Sequence, residues 1–80
     1  MEVTDQEMQS TYKSRMLRLQ ILLEEVKKHK KILQDELIKF GMNRWMMSRM
    51  IVERYIDDLV AAGKLRRDLL NDIAYIELAQ

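Results

Sequence analysis

Val52 to Arg67 reads VERYIDDLVAAGKLRR, and the fold turns on how that stretch is read. Val52, Tyr55, Ile56, Leu59 and Val60 follow the i, i+3, i+4, i+7, i+8 spacing that lines one buried face of a helix. Trp45 falls on the same face two turns earlier, and Gly63 stands where a glycine in the left-handed conformation ends a helix. After Gly63 the period changes. Ile73 to Leu78, IAYIEL, alternates Ala74, Ile76 and Leu78 with Ile73, Tyr75 and Glu77. Its β-branched and aromatic content favours a strand, with a fourth short helix as the rival reading. Asn71 and Asp72 are turn formers, so residues 64–78 read as a hairpin.

Upstream, residues 5–28 read as one long helix, with Thr4 or Asp5 as cap and Asp5 and Glu7 suited to the positive end of its dipole. Tyr12, Met16, Leu19, Leu23 and Val26 recur at steps of four and three, an a/d-like seam. Leu17 and Ile21 lie on another face, so the middle of this helix is apolar nearly all round. A surface helix needs one apolar stripe; two imply that one face meets the chain's own core and the other a partner. The seam is therefore a candidate homodimer interface. The run KKHKK (Lys27–Lys31) marks a helix end and a break near residues 29–32, against the alternative of one helix continuing to Phe40. Leu33–Phe40 then reads as a short second helix stopped at Gly41, and a third helix starts near Met42 or Asn43, with Asn43 as its cap.

The chain holds 80 residues, enough for one domain over 1–80 that buries only about 60% of its unfolded surface, so association would help it. Hydrophobic residues at 48% and charged residues at 34% fit a globular helix-rich protein rather than a disordered one. The absence of cysteine excludes disulfides, thiolate metal sites and cysteine nucleophiles, and agrees with a cytoplasmic setting. No apolar run approaches the roughly 20 residues of a membrane span, and the polar, acidic start MEVTDQEMQ has no signal-peptide pattern. A net charge of +1 makes any nucleic-acid reading depend on where the charges sit.

Two segments, DELIKFG (Asp35–Gly41) and SRMIVERYIDDLVAAGKLRR (Ser48–Arg67), carry a family likeness through the frame Val52, Ile56, Leu59, Gly63 and Leu65. Over roughly residues 32–78 the chain resembles the winged helix-turn-helix superfamily. The resemblance implies a mainly α fold with a small C-terminal β-hairpin: a long N-terminal helix, a helix-turn-helix over 32–63 and a wing over 64–78. It further implies a third helix whose amino-terminal half faces the major groove of DNA, and a hairpin that touches the backbone. That assigns Arg44, Ser48, Arg49 and Arg54 to the helix and Arg66 and Arg67 to the wing as nucleic-acid contacts. MNRWMM (Met42–Met47) is longer than the usual turn between the second and third helices, and the first helix is longer than the family needs.

The resulting expectation is a homodimeric regulator that occupies duplex DNA. The alternative is an interaction module that docks another protein through Met46, Met47 and Met50, since thioethers adapt readily to apolar partners. For this alternative Met47 and Met50 join the seam as candidate partner contacts. A break near Ser48 would instead turn these methionines inward as core filling, and the arginines could simply pair with Glu53 or Asp57. KKHKK is either a phosphate-binding cluster or a solvated helix end, and Trp45 either a base-stacking platform or a core anchor. The single histidine, His29, has no second ligand at helical spacing, so no metal or cofactor is expected. No phosphate loop, nucleophile elbow or catalytic triad is present in the sequence, which reads as a non-enzyme without a small-molecule substrate.

Overall fold

The computed structural model describes the backbone of residues 2–79 and the side chains of residues 13–79. Three helices and a three-stranded antiparallel sheet follow one another as α1 (Glu2–His29), β1 (Lys31–Leu33), α2 (Gln34–Trp45), α3 (Arg49–Ala61), β2 (Leu65–Leu70) and β3 (Ile73–Leu78). The break at KKHKK is real: α1 ends at His29 with three basic residues in its last turn, where the negative end of the dipole favours them. Lys30 then takes a left-handed φ of 67° and redirects the chain. The start of α1 precedes Thr4 and Asp5; the side chains proposed to cap it lie outside the described ones, as does that of Tyr12.

The sequence reading is corrected at three points between Lys31 and Ser48. Residues 31–33 are a short strand, not the approach to a helix. α2 does not stop at Gly41 but runs through it to Trp45. The left-handed stop is Met46, at φ 55° and ψ 46°, whose N–H bonds back to the carbonyl of Met42. Asn43 therefore sits inside α2 and caps nothing, while Ser48 caps α3 by accepting from the N–H of Ile51 at 3.4 Å.

The carboxyl end of α3 follows the expected form. Gly63 has φ 76°; its N–H donates to the carbonyl of Val60 at 3.0 Å, and that of Lys64 to the carbonyl of Leu59 at 2.9 Å. This pair of bonds is the Schellman motif. It delivers the chain straight into β2, where Leu65 is buried. Asn71 and Asp72 both have positive φ, as the two-residue loop of a type I′ hairpin requires. Residues 73–78 are a strand, which settles their alternative reading.

β3 lies in the middle of the sheet, in the order β1-β3-β2. Ile32 opposes Ile76, and Leu65 opposes Leu78. One core forms where the sheet's inner face meets the helices. It holds Leu22 and Val26 of α1, Ile32 of β1, Leu37 and Ile38 of α2, Val52, Tyr55, Ile56 and Leu59 of α3, Leu65 of β2 and Ile76 of β3. Burying an aliphatic side chain of this kind stabilises by about 1.5–3 kcal/mol relative to leaving it in water. Among the described residues no helix is long and apolar enough to cross a membrane.

Candidate nucleic-acid interface

α3 shows one face to the core and the other to solvent, and its amino end is open. Ser48, Arg49, Met50 and Arg54 are all exposed there. The first turn carries no acidic side chain, so the orphan N–H groups and the positive end of the dipole are not neutralised within that turn. Further along, the outer face becomes acidic with Glu53, Asp57 and Asp58.

The six residues expected to contact nucleic acid do not form one patch. Arg49 reaches Asp35 of α2 at 2.8 Å and Glu53 one turn on at 3.2 Å. The Arg49 guanidinium, and after it the Lys39 ammonium, hold the Asp35 carboxyl below the usual carboxylate range. The Asp35 carboxylate in turn holds Arg49 above its ordinary value. Arg67 folds back from β2 to Asp57 at 2.6 Å and to the side-chain oxygen of Gln34 at 2.5 Å, which puts it beside α3. Arg54 is exposed and has no carboxylate within ion-pair distance among the described residues. Arg49, Arg54 and Arg67 thus share the outer side of α3 with Glu53 and Asp57.

Arg66 and Arg44 sit elsewhere. Alternation along β2 puts Arg66 on the opposite face of the sheet, paired with Glu77 through both Nε and Nη2. The Glu77 carboxylate raises the Arg66 guanidinium above its ordinary value. Arg44 leans over the Phe40 ring, 6.0 Å from its centroid. There it lines a groove between α1 and α2 with Ile21 and Glu24.

The methionines divide as well, because the turn at Met46 breaks the face that one unbroken helix would have made. Met47 turns inward and packs against the core. Met46 and Met50 stay out, 89% and 67% exposed. Trp45 packs on the core edge-on to Phe40 and to Tyr55, with ring centroids 6.3 Å apart in each pair. That is an anchor geometry, with Trp45 partly buried at the edge of the core.

The helix-one seam is largely spent on the chain's own core. Val26 is fully buried, and Leu19 and Leu23 pack against that core; the fully buried Leu22 was not in the seam at all. Met16 and Leu17 remain exposed, at 50% and 61%. Two side chains the sequence did not single out fasten α1 to α3. Arg15 pairs with Asp58 and lies over the Tyr55 ring, 5.7 Å from its centroid; Arg18 donates to the Tyr55 hydroxyl at 3.1 Å. Cations one turn apart on a helix give no hint in sequence of the tyrosine they will meet.

Of the KKHKK run, His29 bonds to Glu25 at 2.9 Å and Lys31 to Asp68 at 3.3 Å, while Lys27 and Lys30 are exposed. Among the described residues no three His, Asp or Glu side chains lie together in a way that could hold a metal ion. Comparison with family models, with curated proteins and with solved structures finds no match for the chain.

Proposed function

We propose that the chain is a winged helix-turn-helix domain that binds duplex DNA through the amino half of α3, with β2–β3 as its wing, and regulates by occupancy. The observation that carries this reading is the open, Ser48-capped end of α3 with Arg49, Arg54 and Arg67 along its outer side. The sheet order β1-β3-β2 around a helix pair supports it, since such a frame presents a helix and a hairpin together. The ion pairs of Arg49 and Arg67 do not oppose it. They are surface pairs in water, of little net strength, and a phosphate can replace each carboxylate.

Three arginines set among the carboxylates of Asp35, Glu53 and Asp57 predict modest, strongly salt-dependent affinity. If those three each neutralise one phosphate, binding falls about 40-fold between roughly 50 and 200 mM salt. Fluorescence anisotropy on a labelled random duplex of about 20 base pairs measures it. Absence of binding at the lower salt, or binding indifferent to salt, overturns the reading.

A second reading has its own observation. Met46 and Met50 are among the most exposed apolar side chains described, and they flank the same helix end. Such a patch suits a protein partner. Replacing Arg49 and Arg54 with glutamate abolishes function under the DNA reading, whereas Met46→Glu with Met50→Glu abolishes it under this one.

A further inference from the structure

β2 is an edge strand, since the sheet runs β1-β3-β2. Six residues long, with Arg66, Arg67, Leu69 and Leu70 exposed, it has neither proline nor a bulge to protect it. Long edges of this kind are templates for a further strand. The N–H of Ala79 donates to the carbonyl of Lys64 at 3.1 Å, and Lys64 continues the β2 register opposite Ala79. By alternation, Arg66, Asp68 and Leu70 then turn their backbone groups toward β3, and Leu65, Arg67 and Leu69 turn theirs outward.

We propose that this edge pairs with β2 of a second copy of the chain, antiparallel about a two-fold axis through Arg67, to give one continuous six-stranded sheet.

Charge selects the copy and the register. A two-fold axis normal to a sheet keeps each face on its own side, so only registers that centre on a residue are allowed. Centring on Asp68 sets two carboxylates directly opposite each other, and centring on Arg66 sets two guanidinium groups opposite each other; in both, only two of the outward-facing residues find hydrogen-bonding partners, for about four junction bonds instead of about six. Centring on Arg67 brings Arg66 of each copy opposite the partner's Asp68, twice, on the outer face. Within one chain Arg66 already meets Glu77 and Asp68 already meets Lys31. The junction therefore joins two half-rows into an alternating line: Glu77, Arg66, then the partner's Asp68 and the partner's Lys31. On the inner face Leu69, 67% exposed in one copy, comes opposite the partner's Leu65. The two Arg67 side chains meet on the axis, but each is drawn back by its own Asp57 and Gln34. About six backbone hydrogen bonds form across the junction. This pairing does not depend on DNA binding.

The test is solution mass by light scattering on the full chain over a concentration series without nucleic acid, with three variants. The wild type shifts from monomer to dimer as concentration rises. Arg66→Glu and Asp68→Lys each set like charges opposite one another and weaken the dimer at least about tenfold. Mixing these two variants restores it, because the mixed pair regains both attractive contacts. Leu69→Lys replaces a side chain outside the core, leaves the fold intact by Trp45 emission, and also yields monomer. A wild type that stays monomeric, single variants that dimerise like it, a mixture that stays dissociated, or a dimeric Leu69→Lys each overturns the proposal.

Discussion

Gly41→Ala puts a methyl group into the crossing of α2 and α3. The added carbon would sit 2.7 Å from Cγ1 and 3.2 Å from Cγ2 of Val52, and 3.0 Å from Cζ3 of Trp45. Carbon atoms in packed interiors prefer about 3.5–4.0 Å, so the nearest contact is roughly 1 Å too short. Val52 is fully buried and, being β-branched within a helix, has essentially one side-chain rotamer. The helices themselves must move apart. Helix propensity argues the other way, because alanine is favoured over glycine in a helix interior by about 1 kcal/mol. Overpacking costs about 1–3 kcal/mol, and the immobility of Val52 places this site near the top of that range. The net expectation is a loss of about 2 kcal/mol, or a fall in Tm of roughly 8–16 °C for a domain of this size. Urea or thermal unfolding followed through the single tryptophan, Trp45, measures it. A double-mutant cycle isolates the cause. Val52→Ala alone costs about 2–3 kcal/mol as a cavity, yet in the double variant the new methyl fills the vacated space. The two effects should then fall short of additivity by about 1–2 kcal/mol. A raised Tm for Gly41→Ala, or a cycle additive within about 0.5 kcal/mol, would refute the packing argument.

Gly63 presents the opposite case: a side chain there meets nothing within 4 Å, but φ is 76°. Gly63→Ala should therefore cost about 1–2 kcal/mol from backbone strain alone, and Gly63→Asn clearly less, because asparagine visits that region more readily; equal losses in urea melts would count against this. Asp35 gives a pH signature. Its carboxyl is held low in the folded chain by Arg49 first and Lys39 second, so its contribution is fully present above the ordinary carboxylate value near 4 and disappears as pH falls through the lower folded value. Asp35→Asn should therefore lower stability slightly at pH 7, flatten the decline below about pH 4 and converge with the wild type at the acid end, and unfolding curves at both ends of that window check it.

The parts legible in the sequence were those set by periodicity and local turn chemistry. The face Val52, Tyr55, Ile56, Leu59 emerged because each side chain obeys a helical repeat and all four are buried. Gly63 and the Asn71–Asp72 turn emerged because their conformations favour those residue types. Gly41 misled for an instructive reason. A glycine announces either a left-handed backbone or a close approach, and a single sequence does not separate the two. Here it is the close approach to Val52. The true stop, Met46, has no preference for the left-handed region and so left no trace. β1 was missed because three residues, KIL, are too few to show alternation. Its existence depends on β3, more than forty residues downstream. The candidate site was the least legible part. Which carboxylate each arginine finds is decided by tertiary placement: Arg67 meets Asp57 of another element, while its neighbour Arg66 leaves on the other face of the sheet for Glu77.

That placement makes Arg49 the position where the two functional readings diverge most sharply. Its guanidinium has three claims on it: Asp35, Glu53 and, under the DNA reading, a phosphate. Asp35→Asn removes one claimant and one negative charge from the edge of the proposed face without touching Arg49 or the core. DNA binding should then tighten a few-fold at both low and high salt, because Arg49 has one carboxylate fewer to exchange for the phosphate. The logarithmic salt slope should stay close to its original value, because the number of neutralised phosphates is unchanged. Docking of a protein through Met46 and Met50 would be indifferent to the substitution, since neither thioether contacts Asp35 by charge. Anisotropy titrations of the variant at two salt concentrations decide the matter. Tighter binding with an unchanged slope places Arg49 on the phosphates; affinity unchanged from the original chain removes Arg49 from the contact and leaves Arg54 and Arg67 to account for whatever binding exists.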